Sequence, residues 1–365
     1  MINLVHPIVG KEEKKAVCDV IDSRMLASGS SVHEFEQQCA HKWGARFGVA
    51  VSSGTTALHA ALLACGVVRG DKVITTPLSF IATANSILFC DAQPIFADIE
   101  PDTYLLDLNG VEDALKKDKK IKAIIPVHLY GLACDMDAYR YLAKKYKVKI
   151  IEDCAQSQGA TFKGKIAGSF GDANAFSFYA TKNMTTGEGG VVLTNDSRTD
   201  SMLRQLINHG RKTQSTHDVL GYNFRLTNIA AAIGIVQLKH LDEWNKKRQQ
   251  NATYLTRELN KLPFVTTPVV PKNREHVFHQ YTIRVPASVR PQLMAHLAKN
   301  HIGCGVYYGD VIYRQPLYKK LKYSFKRCPH AERAAAEVLS LPVHPALTRK
   351  DLETITSVFN QFKPK

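Results

Sequence analysis

The chain has 365 residues, is 45% hydrophobic and 22% charged, and carries a formal net charge of +15. This is the composition of an ordinary globular protein long enough for two domains, and it needs no disulfide or metal staple to bury a core. A basic surface attracts nucleic acid, anionic membrane or phosphorylated small molecules, but apart from local clusters at 11–15, 116–122 and 319–327 the charge is spread out, and no strand interleaves aromatic and basic residues, so no specific nucleic-acid binding is expected.

The N-terminus, Met1-Ile-Asn-Leu-Val-His-Pro, has no basic segment leading into an apolar one, so it does not read as a secretion signal. Residues 12–23 read as an amphipathic helix, 25–31 as a polar loop and 32–43 as a second helix. The apolar run 47–51 reads as a buried strand. Ser52-Ser-Gly54-Thr55-Thr56 follows it and opens a strongly helical stretch, 57–65. Small residues at a helix start leave backbone amides directed outward, and the helix dipole adds positive charge there. That suits a phosphate, and Thr55 and Thr56 add hydroxyls. The same residues also serve as a plain helix cap.

An alternation follows: strands at 72–75, 93–97, 121–127 and 148–151, with helices at 80–89, 111–115 and 136–144 between them. Strands this apolar are covered on both faces, which predicts an α/β fold with a mainly parallel sheet between helices. The strand ending at Glu152 runs into Asp153, and ligands of open parallel sheets bind beyond such strand ends. Gly159-Ala-Thr-Phe-Lys-Gly164-Lys165 fits a phosphate-loop spacing. Ile166 stands where that loop needs Ser or Thr, so the stretch is read as a tight hairpin with Gly164 in its turn.

Phe176-Ser177-Phe-Tyr-Ala-Thr-Lys182 is the stretch around which the chain is organised. An apolar run ends at 178 or 179, a polar turn carries Lys182, and Gly187-Glu-Gly-Gly190 lets the backbone bend before the apolar run 191–193. A lysine positioned between two buried strands loses its proton more readily and acts as a nucleophile or Schiff-base former. Alternatively, it is a surface lysine in a hairpin. Beyond it lie a helix at 198–209, a polar loop at 221–228 and a long helix at 229–259. A smaller α+β unit then has strands at 280–285 and 303–307 and helices at 291–300, 331–339 and 350–362. The eight cysteines form no C-x-x-C pair, so neither a zinc nor a redox site is expected. They suit a reducing cytosol, and no apolar run approaches the ~20 residues of a membrane span, so a cytoplasmic protein without a membrane partner is expected.

An anion-cradling turn, a strand-end aspartate and a lysine 29 residues after it are the parts pyridoxal phosphate requires. Its aldehyde needs an amine, its ring nitrogen a carboxylate, and its phosphate a helix N-terminus with hydroxyls. Phe80 is the candidate for stacking on the ring.

The chain resembles the fold-type I pyridoxal-phosphate aminotransferases of the DegT type, which act on nucleotide-linked keto-sugars. The resemblance is carried in order by Ser53-Gly-Thr-Thr-Ala-Leu58, Thr76-Pro-Leu-Ser-Phe80, Pro126-Val-His-Leu-Tyr-Gly131, Glu152-Asp-Cys-Ala-Gln156, Phe176-Ser-Phe through Lys182-Asn, Gly187-Glu-Gly-Gly190, Gly221-Tyr-Asn-Phe-Arg225 and Leu339-Ser-Leu-Pro-Val-His-Pro345. It implies that Lys182 forms the internal aldimine and moves the proton, Asp153 pairs with the ring nitrogen, Gln156 lies near the ring hydroxyl and Phe80 stacks. It also implies that Gly54, Thr55 and Ser177 hold the phosphate. Asn223, with Arg225 nearby, would reach the phosphate of the partner subunit, which implies a homodimer with shared sites. The implied domains are residues 1–245, a large cofactor-binding unit with a seven-stranded-type sheet, and 246–365, a small α+β unit. The implied mechanism is ping-pong: glutamate leaves its amine as pyridoxamine phosphate and departs as 2-oxoglutarate, and a keto-sugar nucleotide takes the amine. Relatives often carry a His-Tyr-Pro-like segment near the sugar. Here that segment reads Tyr307-Tyr308-Gly-Asp310 and then Tyr313-Arg-Gln-Pro316, so these tyrosines are the substrate candidates and the sugar is left open. The alternatives on this scaffold are a dehydratase, an amino-acid transaminase and a cofactor-binding regulator without turnover. Lys182 stands where dehydratases of this family carry histidine.

Overall fold

The computed structural model describes residues 1–321 and 323–364; Lys322, within the basic cluster at 319–327, and Lys365 lie outside the described residues. In chain order come α1 (Lys11–Ser23), α2 (Ser30–Lys42), β1 (Phe47–Val51), α3 (Gly54–Ala64), β2 (Lys72–Thr75), α4 (Ala82–Leu88), β3 (Gln93–Phe96), α5 (Leu108–Lys117), β4 (Ile121–Ile125), α6 (Met136–Tyr146) and β5 (Lys149–Asp153). The short hairpin β6 (Thr161–Phe162) and β7 (Lys165–Ile166) precedes β8 (Ala173–Ser177), β9 (Gly190–Thr194), α7 (Ser197–Leu206) and the long α8 (Asn228–Leu259). The chain ends with β10 (Arg274–Glu275), β11 (Tyr281–Arg284), α9 (Arg290–Lys299), α10 (Pro316–Lys320), α11 (Pro329–Glu337), β12 (Val338–Leu341) and α12 (Arg349–Gln361).

Seven strands form the central sheet in the order β1-β9-β8-β5-β4-β2-β3. The pairs from β8 through β5, β4 and β2 to β3 are parallel, and β9 runs antiparallel to both β8 and β1. The sheet is thus mainly parallel and covered on both faces, as the apolar runs require. Side chains alternate between faces with period two. Val49, Val51, Ile125, Ile151, Ala173 and Ala175 join the core under α3. Their neighbours Ala50, Phe176 and Val191 join the one under α2 and α8, and Ile124 and Ile150 the one under α5 and α6. Full burial of Phe176 and Phe178 contributes about 2–3 kcal/mol each. Followed to the strand ends, the alternation places Asp153 and Ser177 on the α3 face and Glu152 on the other.

Helix α8 leaves the sheet's core, where Leu238 and Leu241 pack. It then enters a second core, where Ala252, Leu255 and Leu259 meet Tyr281, Ile283, Leu293, Leu339 and Phe359. The chain returns afterwards: Val311, Ile312, Tyr318 and Ala331 pack into the sheet's own core.

Two sequence expectations change. Residues 303–307 form no strand; Gly305 alone bridges Ser340, while the Gly303 amide donates to Ile2. The N-terminal segment occupies that side, since a Cβ on Gly303 would lie 2.7 Å from the Leu4 amide nitrogen. The helix expected at 331–339 stops at Glu337, because Val338–Leu341, buried throughout, pairs antiparallel with β11. The hairpin expected at 161–166 is present, with Lys163 and Gly164 both left-handed in its turn. No helix of the described residues is long and apolar enough to cross a membrane.

Candidate active site

A cavity of about 760 Å³ opens at the carboxyl ends of β5 and β8. Ser53, Gly54, Thr55, Phe80, Asp153, Gln156, Ser177, Lys182, Tyr307 and Tyr308 all line it. Three expected residues lie elsewhere. Thr56 is absorbed in a cap: its hydroxyl accepts the Ser53 amide at 3.0 Å and its own amide donates to the Ser53 hydroxyl at 3.1 Å. The Tyr313 hydroxyl donates to Glu332 at 2.8 Å and accepts the Cys328 amide at 3.1 Å, with its ring against Phe96 and Phe325. Asn223 is exposed on the loop before α8, bridged to Asn208, whose side chain accepts from Arg225 at 2.7 Å.

The capping box of α3 leaves the amides of Gly54 and Thr55 without intrahelical acceptors at the positive end of the helix. Gly54 is required by close approach: a Cβ there would lie 2.5 Å from the Ser177 Cβ and 2.9 Å from its hydroxyl. The two amides and the Ser177 hydroxyl therefore share one cradle.

Asp153 is buried. One carboxylate oxygen accepts the Thr83 hydroxyl at 2.7 Å and the other the Ala155 amide at 3.1 Å. Burial raises its pKa, against the hydrogen bonds from Thr83 and Ala155 and the charge of Lys182. Lys182 has no hydrogen-bond partner for its amine among the described residues, and what it exposes faces the cavity. Burial pulls the amine down to about 8, partly offset by the Asp153 charge. An aspartate and a lysine whose amine is held near 8 in one cavity form an acid–base pair suited to proton transfer near neutral pH.

Gln156 is held at both ends: its oxygen accepts the Tyr130 amide at 2.8 Å and its nitrogen donates to the Tyr308 hydroxyl at 3.1 Å. Phe80 keeps 57% of its surface exposed at the cavity, an unusual state for a phenylalanine beside a buried carboxylate. Thr83, His279 and Gln280 also line the cavity, and the sequence carries no signal for them beyond Thr83 standing one helical turn after Phe80.

Directly behind Asp153, Glu152 accepts the amides of Gly168, Phe170 and Gly171 at 2.7–2.9 Å and pairs with His128 at 2.9 Å. The other His128 nitrogen accepts the Cys134 amide at 3.0 Å. These groups stand close enough to Cys154 to hold a metal. The hydrogen bonds occupy the carboxylate and both imidazole nitrogens, so the knot serves to fix β5 beneath Asp153.

A family model of DegT/DnrJ/EryC1/StrS aminotransferases matches residues 7–360. The chain belongs to that family. It is 41% identical to a pleiotropic regulatory protein of Geobacillus stearothermophilus, over 96% of this chain and 95% of the relative. It is 36% identical to a GDP-perosamine synthase of Escherichia coli O157:H7, over 99% of this chain and 98% of the relative. The crystal structure of S. venezuelae DesV in complex with a ketimine intermediate superposes with a TM-score of 0.92 at 34% identity, covering 96% of this chain and 94% of that one. The fold is that of the fold-type I aminotransferases, and the chain is an enzyme of amino-group transfer.

Proposed function

We propose that this aminotransferase uses pyridoxal phosphate to move an amino group from glutamate to the keto group of a nucleotide-linked sugar. The observation that carries the reading is the placement of Lys182, Asp153 and the Gly54–Ser177 cradle around one cavity. When bound there, pyridoxal phosphate supplies an aldehyde for amines and a protonated ring that withdraws electrons. The residues fit that group. The Gly54 and Thr55 amides and the Ser177 hydroxyl would hold the phosphate. Asp153, kept in place by Thr83 and Ala155, would hold the ring nitrogen's proton. Phe80 would cover a ring face, and Gln156 would stand near the ring hydroxyl. The Lys182 amine would take and return the proton at the reacting carbon, a task for which a pKa near 8 suits it.

Asn223 lies outside the cavity of its own chain and on an exposed loop, which supports a homodimer in which it serves the partner's site. The division into residues 1–245 and 246–365 is part of the same proposal. The passage of α8 from one core to the other between Leu241 and Ala252 supports that boundary, and the segment holding Val311, Ile312, Tyr318 and Ala331 packs back against the large unit.

The test incubates purified protein and pyridoxal phosphate with glutamate and a panel of keto-sugar nucleotides, reading 2-oxoglutarate and amino-sugar. Lys182→Ala is expected to lose nearly all turnover and the mass that borohydride fixes on its peptide. A regulator without turnover would keep that mass and form no amino-sugar, the outcome that the relative named a pleiotropic regulatory protein makes worth separating. Normal turnover by Lys182→Ala would refute the proposal.

A further inference from the structure

His279 ends a buried hydrogen-bond chain that starts under the cradle. The Gln158 side-chain nitrogen donates to the Ser177 carbonyl, and its oxygen accepts the Asn183 amide at 3.2 Å. The Asn245 side-chain nitrogen donates to the Gln158 carbonyl at 2.8 Å, so its oxygen is the end that accepts from Asn183, also at 2.8 Å. Asn183 spends its second N–H on the Val277 carbonyl at 3.1 Å. Both protons of that amide are therefore used, and its oxygen faces His279 Nδ1 at 3.3 Å as an acceptor. Nδ1 must carry the proton. The other nitrogen, Nε2, then presents a lone pair, provided the ring is neutral. Burial, followed by the nearby charges of Lys182, Arg248 and His276, pushes the imidazole well below its ordinary range and keeps it so.

Nε2 has no protein partner among the described residues, and His279 lines the cavity with Lys182. Tyr308 offers the complementary group: its oxygen accepts from Gln156, which leaves its own proton to give. The cavity is thus lined by a fixed acceptor, His279 Nε2, and by a donor, the Tyr308 hydroxyl. A carbonyl next to a hydroxyl satisfies both, the carbonyl oxygen taking the Tyr308 proton and the hydroxyl giving its own to His279.

We infer that His279 is a specificity-determining residue whose Nε2 accepts a hydrogen bond from the hydroxyl beside the reacting carbonyl, so that the enzyme selects an α-hydroxy ketone over its deoxy counterpart. This inference rests on the sugar-aminotransferase reading and deepens it.

The test uses the enzyme loaded with pyridoxal phosphate, glutamate, and UDP- and GDP-linked keto-hexoses, each made with and without the hydroxyl next to the carbonyl. The wild type is expected to favour the hydroxylated member by about 100-fold or more in kcat/KM, because the deoxy analogue leaves a buried acceptor unpaired. His279→Leu is expected to narrow that ratio by about tenfold, and His279→Gln, whose carboxamide oxygen reaches the Nε2 position, to hold it within about threefold. Nitrogen-15 NMR of the histidine-labelled protein without cofactor is expected to show His279 neutral and protonated on Nδ1. A proton on Nε2, an imidazolium, or an equal loss on both members of a pair would overturn the inference while leaving amino transfer intact. No turnover with any member of the panel would overturn the functional reading, and this inference with it.

Discussion

The sharpest test of the site is the titration of Lys182 as it captures pyridoxal phosphate. With the amine at about 8 instead of the ordinary 10.5, about a tenth of it is neutral at pH 7, against about 0.03% for an exposed lysine, a roughly 300-fold advantage. Only the neutral amine attacks an aldehyde, so the capture rate follows that fraction. Stopped-flow absorbance at low cofactor concentration is expected to show the rate rising about tenfold per pH unit below about 8 and levelling above it. Asp153→Asn removes the charge that holds the amine up, so the break should move to lower pH. The stability of the cofactor-free protein should rise with pH between about 8 and 10.5, because in that window the unfolded chain binds the lysine proton and the folded one does not. A capture rate that climbs unbroken to pH 10, or borohydride labelling on other lysine peptides, would refute the argument that burial activates this amine.

Gly54→Ala drives a Cβ to within 2.5 Å of the Ser177 Cβ, and is expected to cost about 1–3 kcal/mol in a urea melt and to weaken cofactor binding in a fluorescence titration. Unchanged cofactor affinity would remove the cradle from the account. Glu152→Ala strips the acceptor from three amides and His128; a loss of at least about 3 kcal/mol by denaturant titration is expected. A neutral outcome would mean the knot does not brace β5. Mixing Lys182→Ala with Asn223→Ala subunits and letting them exchange should restore up to about a quarter of wild-type activity, since half the dimers are mixed and each carries one intact site. No recovery despite exchange confirmed by native mass spectrometry would place Asn223 outside any shared site.

The alternation of apolar runs with helical periods specified a mainly parallel sheet because strand and helix burial are written in local spacing, two residues or about 3.6. Residue chemistry pointed to Lys182 and Asp153 because an amine and a carboxylate at strand ends are legible without knowing what they touch. Boundaries were less legible where a distant segment competed. The stretch at 303–307 failed to become a strand because residues 2–4 occupy its side, and Val338 and Leu339 left the helix for a ladder with β11.

Within the site, tertiary structure chose among chemically equal candidates. Thr55 lines the cavity while Thr56, its neighbour, is spent on a cap. Thr83 reaches Asp153 across 70 residues of chain, and His279 reaches Asn183 across 96. No local pattern encodes such partners, because a hydrogen bond is satisfied by whichever group the fold brings within about 3 Å, not by the one nearest in sequence. The sequence by itself determined which reactive groups the chain owns and that a covered sheet would carry them. Their contacts, their protonation and which imidazole nitrogen is left to meet a ligand were decided only once the sheet, α3 and the 277–280 segment closed around one cavity.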